Sequence, residues 1–130
     1  MTGLVIVTHN GLATALKASV EMIVGEIELV TLVEVAPGDR ADAIMNRVVE
    51  AVQSVSADGA IILTDLFGGT PSNMAMSFLK EGSVEVVTGV NLPMLIEFFS
   101  KRERLSVAEL AQALKTAGQD GIIIAGEFLK

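Results

Sequence analysis

The chain of 130 residues has no cysteine, no tryptophan, no tyrosine and a single histidine. Without cysteine there is no disulfide framework, no thiol nucleophile and no Cys-ligated metal site. Without Trp or Tyr, an aromatic platform for stacking sugars or bases is not expected. Basic residues are also scarce. The net charge of −7 argues against a nucleic-acid surface, though not against one phosphoryl group held in a local pocket. Although 51% of the residues are hydrophobic, no apolar run approaches the ~20 residues of a membrane span. The N-terminus lacks the basic segment and the long apolar stretch of a secretory signal. These absences point to a soluble cytoplasmic protein, and the length fits one domain, residues 1–130, with a sizeable core.

What is present is a run of buried-strand signals, each ending in polar residues. Leu4-Val5-Ile6-Val7 is bounded by Gly3 and by Thr8-His9-Asn10-Gly11, and reads as a strand covered on both faces. A helix follows from Leu12 to Val24, with Leu12, Leu16, Val20 and Ile23 at helical spacing and Gly25 as its stop. Ile27 to Val35 reads as a second strand, broken by Pro37-Gly38, and Asp39 is placed to cap a helix running to Ser54 with Ile44, Val48, Val49 and Val52 inward. Ala60 to Leu63 repeats the first pattern and ends at Thr64-Asp65. In the following Leu66-Phe67-Gly68-Gly69-Thr70-Pro71, Thr70 reads as an N-cap and Pro71 as the first position of a helix to Leu79. Val84 to Val87 is a fourth strand, followed by a Pro-led helix from Pro93 to Ser100 and a charged connector from Lys101 to Arg104. Ser106-Val107-Ala108-Glu109 is a capping box, its helix stopping at Gly118, and Gly121-Ile122-Ile123-Ile124 begins a last strand. Strands alternating with helices mean an α/β fold, a three-layer α/β/α sandwich on a mainly parallel sheet. The short connection before the last strand is compatible with either direction.

Ligands of such sheets lie beyond the carboxyl ends of the strands. His9, Asp65, the glycine pair Gly68-Gly69 and the hydroxyls and amides of Thr70, Ser72 and Asn73 all fall there. An ordinary reading exists for each: a lone histidine is often a surface or core residue, and an Asp in such a loop often only caps backbone N–H groups. The functional reading requires the first and third strands to be neighbours, as in the flavodoxin-like order 2-1-3-4. Asp65 then accepts a hydrogen bond from one ring nitrogen of His9 and leaves the other free to attack phosphorus. No Walker lysine and no dinucleotide glycine fingerprint is present, so the site suits a phosphoryl group rather than a nucleotide. No metal or other cofactor is implied.

Three blocks carry a resemblance: Ile6-Val7-Thr8-His9, Thr64-Asp65-Leu66-Phe67-Gly68-Gly69-Thr70-Pro71-Ser72-Asn73 and Val87-Thr88-Gly89-Val90-Asn91-Leu92-Pro93-Met94. With them the chain resembles the IIA component of the mannose/fructose/sorbose family of the bacterial phosphotransferase system. The resemblance implies that His9 takes a phosphoryl group from a small histidine phosphocarrier protein and passes it to a histidine on a IIB partner. It also implies a homodimer in which the last strand crosses to the partner's sheet, antiparallel to the others. On this reading His9 is the nucleophile and Asp65 its orienter. Gly68, Gly69, Thr70, Ser72 and Asn73 hold the phosphoryl oxygens, with Thr8 a weaker contributor. Asn10 stands where many relatives have Gly after the histidine. The chain ends at Lys130 without a IIB domain, so the expected acceptor is a separate IIB protein, with the membrane reached only through a permease. A regulatory module switched by phosphorylation of His9 is the alternative, and a small enzyme acting on a phosphorylated metabolite a more distant one.

Overall fold

The computed structural model describes residues 1–130. In chain order the elements are β1 (Gly3–His9), α1 (Leu12–Val24), β2 (Val30–Val35), α2 (Ala41–Val55), β3 (Ala60–Thr64), α3 (Thr70–Met76), β4 (Val84–Thr88), α4 (Leu92–Lys101), α5 (Val107–Asp120) and α6 (Ala125–Phe128). The four strands form one parallel sheet in the order β2-β1-β3-β4. The order expected from the sequence is therefore the one observed, and it sets β1 and β3 side by side.

Alternate residues of the central strands feed two cores. Leu4, Ile6, Ile61 and Leu63 face α1, α4 and α5, where Val20, Leu95, Phe98, Leu110 and Leu114 meet them. Val5, Val7, Ala60 and Ile62 face α2 and α3, packing on Ile44, Val48, Val52, Val55 and Ala75. Each fully buried side chain of this size contributes about 1.5–3 kcal/mol. Burial on both faces explains why β1 and β3 are unbroken apolar runs.

Several elements depart from their sequence reading, each for a local reason. The inward residues of α1 are Ala13 and Val20, with Leu16 partly covered, while Leu12 and Ile23 are exposed. β2 starts at Val30 rather than Ile27 because Leu29 takes a left-handed conformation, φ 57°, that interrupts the strand. Asp39 does not cap α2: its carboxylate accepts instead from Ala36 N–H at 2.8 Å and Arg47 Nη2 at 2.9 Å. The cap of α3 is Gly69, which makes Thr70 the first helical residue, and the helix ends at Met76. α4 is capped by Asn91, whose side chain accepts from Met94 N–H at 3.1 Å. Arg102 is no solvated connector. It is buried, stacks over Phe98 and Phe99, and donates to the carbonyls of Thr2, Glu28 and Leu29, tying the amino ends of β1 and β2 together. Burial lowers the pKa of this guanidinium from its ordinary value, and the charges of Glu28 and Glu103 offset part of that effect.

The capping box opening α5 is present, with Glu109 N–H donating to Ser106 Oγ at 3.2 Å and Ser106 N–H to the Glu109 carboxylate at 3.0 Å. Gly118 does not stop the helix. It lies buried within it, where a Cβ would sit 2.7 Å from Met94 Cγ, and its carbonyl accepts from Asn91 Nδ2 at 3.1 Å. α5 therefore runs to Asp120, using the residues that a reversal onto β4 would need. The expected final strand is not formed within the single chain: Ile122, Ile123 and Ile124 are exposed, with no strand partner, and lead into the short α6. No helix is long and apolar enough to cross a membrane.

Candidate functional site

Parallel pairing of β1 with β3 brings His9 and Asp65 together at the carboxyl edge of the sheet. At the end of β1 the chain turns through Asn10, which adopts φ 52°, a left-handed conformation that Asn tolerates better than most residues. Asn10 N–H bonds to Val35 O at 2.8 Å, while His9 N–H leaves the ladder and donates to Asp65 Oδ2 at 2.9 Å. Ring Nδ1 of His9 lies 2.9 Å from the same oxygen. The other carboxylate oxygen accepts from Leu66 N–H at 3.0 Å. Burial pushes the Asp65 carboxyl up, but the bonds from the His9 backbone and ring, the ring's charge and the local backbone together outweigh it. The group thus titrates below its ordinary value of 3.8.

An ionised carboxylate only accepts hydrogen bonds, so Nδ1 carries the hydrogen and the lone pair of the neutral ring is on Nε2. The His9 side chain is 46% exposed against 12% for Asp65, which leaves a buried orienter beneath an accessible ring. Gly69 lies against that ring: a Cβ there would be 2.9 Å from Cε1 and 3.3 Å from Nε2. Its backbone, φ −88° and ψ 174°, is open to any residue, so glycine is required here by close approach to His9 and not by conformation.

Two helices begin beside His9, and each start leaves free donors, at α1 the exposed N–H of Gly11. At the start of α1, Thr8 Oγ1 accepts from Ala13 N–H at 2.9 Å, and Glu34 accepts from Thr14 N–H at 3.4 Å and Thr14 Oγ1 at 3.0 Å. Thr8, expected to be a weaker contributor to holding the phosphoryl group, is fully buried, with its hydroxyl engaged in that bond. At the start of α3, the backbone N–H groups of Gly69, Thr70 and Ser72 have no acceptor within the protein, and the Thr70 hydroxyl is exposed and free.

The other expected ligands are otherwise engaged. Gly68 N–H donates to Ser72 Oγ at 2.8 Å, Ser72 Oγ–H donates to Gly69 O at 3.2 Å, and Asn73 N–H donates to Gly69 O at 3.0 Å. Asn73 keeps only an exposed side-chain amide. The third strand-end loop serves the fold, since Val90 N–H bonds to Thr64 O and Asn91 joins α4 to α5. No third carboxylate or imidazole joins His9 and Asp65, so no metal-ligating cluster forms there. Two residues with no role assigned from the sequence are the exposed Leu66 and Phe67, which follow Asp65 directly. Large apolar side chains in a glycine-containing loop were the available signal.

The family model described as PTS system fructose IIA component matches residues 3–115. The chain is 33% identical to the PTS system fructose-specific EIIA component of Bacillus subtilis (strain 168), covering 100% of this chain and 90% of that one. It is 33% identical to the PTS system sorbose-specific EIIA component of Lacticaseibacillus casei, covering 85% and 81%. Among solved structures, the PTS IIA protein associated with the fucose utilization operon from Streptococcus pneumoniae superposes with a TM-score of 0.87 at 29% identity, over 99% of this chain and 96% of that one.

Proposed function

Since the chain belongs to the mannose-type IIA components of the phosphotransferase system, a family of phosphoryl-transfer components of sugar uptake, we propose that it is a phosphohistidine carrier with His9 as the carrying residue. The single observation behind this assignment is the double hydrogen bond from His9 to one oxygen of Asp65. It fixes both the position and the tautomer of the ring and turns the Nε2 lone pair outward.

The donor is a phosphorylated histidine on a small phosphocarrier protein. Nε2 of His9 attacks phosphorus as the donor's N–P bond breaks, and the donor imidazole keeps the electron pair of that bond. The His9 ring becomes positive, and Asp65 stabilises it. In the loose transition state of phosphoryl transfer, positioning and charge stabilisation carry most of the catalysis. The free N–H groups of Gly69 and Thr70 and the Thr70 hydroxyl are the donors that meet the phosphoryl oxygens. Leu66 and Phe67, 53% and 69% exposed, form an apolar rim that a docking protein covers. The second transfer, to a histidine of a separate IIB protein, reverses these steps. Incubation with phosphoenolpyruvate, enzyme I and the phosphocarrier, followed by intact mass, tests the proposal. One acid-labile phosphoryl group is expected on the wild type and none on His9→Ala. Labelling of His9→Ala at the wild-type rate overturns it.

The proposal includes a dimer. A groove of about 560 Å³ runs along the open edge of β4, between Glu85–Gly89 and the α5 residues Gln112, Lys115 and Gln119, with Ile122 at one end. Ile122 and the residues that follow it, Ile123, Ile124, Phe128 and Leu129, stand exposed. Exchange of these segments between two chains, antiparallel to β4, covers both the edge and the apolar tail. Sedimentation of the full chain and of one ending at Gly121 tests this. A dimer that becomes monomeric on truncation supports the exchange, and two monomers or two dimers contradict it.

A further inference from the structure

Resting on the phosphocarrier reading, we propose that Ser72 is a positioning residue: its hydroxyl fixes the Gly68-Gly69 backbone against the His9 ring and does not itself bind the phosphoryl group. A serine hydroxyl has one hydrogen to give. Here that hydrogen goes to Gly69 O at 3.2 Å, while a lone pair takes Gly68 N–H at 2.8 Å. The side chain is fully buried, so it has no route to an oxygen placed on the exposed face of the ring. What it does control is the loop between Asp65 and α3. Gly68 adopts φ 93° with open space where a Cβ would be, and the hydrogen bonds on the Gly68-Gly69 backbone are those with this hydroxyl and the one from Asn73 N–H to Gly69 O.

The consequence passes through Gly69. Its backbone lies close enough to Cε1 and Nε2 that a single added carbon would overlap the ring. Asp65 pins the ring from the Nδ1 side, and Gly69 limits it from the Nε2 side. With the loop held by Ser72, the N–H groups of Gly69 and Thr70 stay at a constant distance from the attacking nitrogen. A loose loop leaves those groups present but poorly aimed, and small misplacements of such donors cost large factors in rate.

Ser72→Ala tests the assignment. Gly68 is exposed, so its released N–H can be solvated and the fold should survive. Three changes are expected together. Hydrogen exchange at Gly68 N–H accelerates at least about tenfold through loss of one hydrogen bond. The maximal labelling rate falls about tenfold while the phosphocarrier concentration giving half that rate moves less than about twofold, because aim and not docking is lost. The ring Hε1 and Nε2 NMR signals of His9 shift in the unphosphorylated protein. Ser72→Cys, which keeps a weak donor and acceptor, should lie between the two. A double-mutant cycle with Gly69→Ala, whose Cβ displaces the ring on its own, should be non-additive, with the double variant no slower than Gly69→Ala alone.

Unchanged Gly68 exchange and unchanged ring signals in Ser72→Ala overturn the proposal, as does a double variant whose two losses multiply. Loss of labelling without any change in the unphosphorylated spectra also overturns it, since a direct phosphoryl ligand behaves in that way. If the wild type takes no phosphoryl group, the carrier reading falls, while exchange and ring signals still decide whether Ser72 holds the loop.

Discussion

Asp65 Oδ2 accepts from His9 twice, from the backbone N–H and from ring Nδ1, each at 2.9 Å. The two donors belong to the same residue, so the carboxylate sets at once where the end of β1 lies and how its side chain is turned. A substitution at Asp65 therefore separates charge from geometry.

Asp65→Asn keeps the size and one acceptor oxygen but removes the charge. The ring loses the partner that stabilises its positive form during attack, and the amide admits the other tautomer. Loss of an orienting carboxylate in hydrolases costs on the order of 10⁴ in rate. A smaller loss, roughly 10- to 1000-fold, is expected in labelling of this chain because the imidazole is itself the nucleophile. Labelling kinetics and the ring nitrogen spectrum check it, and an unchanged rate makes Asp65 a loop cap only.

Acid should weaken the fold through the same residue. The Asp65 carboxyl titrates below 3.8 in the folded protein. The unfolded chain therefore takes up its proton first as pH falls. The stabilisation is fully present above the unfolded value and is lost as pH drops through the folded one. Denaturation of wild type and Asp65→Asn between pH 7 and pH 2 should give stability curves that converge at the acid end. Curves that stay parallel remove Asp65 as a source of acid sensitivity.

Thr64, one residue before Asp65, has a buried hydroxyl with no hydrogen-bonding partner in the protein. Burying such a group costs about 1–3 kcal/mol. Thr64→Val keeps the shape and removes the cost, so a gain of about 1 kcal/mol in denaturant unfolding is expected, with labelling unchanged. A loss of stability shows that the hydroxyl is hydrogen-bonded in solution.

Two glycines should respond differently to alanine. At Gly118 the new Cβ meets the flexible thioether of Met94, which can shift, at a cost of about 1–3 kcal/mol. At Gly3 it overlaps the backbone carbonyl of Val55, where α2 crosses the start of β1, and a cost above about 3 kcal/mol is expected. Equal melting temperatures for the two variants would contradict this ordering.

The sequence made legible whatever depends on neighbours along the chain. β1 and β3 announce themselves because both faces are covered, and the capping box at Ser106 and Glu109 is complete within four residues. His9 and Asp65 stood out because each ends a buried strand. What stayed hidden depends on partners far away in sequence. Asp39 resembles a cap until Arg47 draws it away, and Arg102 looks solvated until Thr2, Glu28 and Leu29 turn their carbonyls to it. Gly118 looks like a stop until Met94 is seen to need its missing side chain. Thr8 and Ser72 have the right chemistry for phosphate, and only the fold reveals that their oxygens are already engaged.

The pinned ring of His9 has a kinetic corollary. With Nδ1 held by Asp65, Nε2 is the one ring nitrogen with a free lone pair, so a phosphoryl group arrives at and leaves from the same atom. On the carrier reading, donor and acceptor proteins must come to that one atom in turn, and neither can stay in place while the other reacts. The relay should therefore run by a ping-pong scheme: parallel lines in double-reciprocal plots, each partner a competitive inhibitor of the other, and throughput limited by how fast one lets go rather than by how tightly either holds.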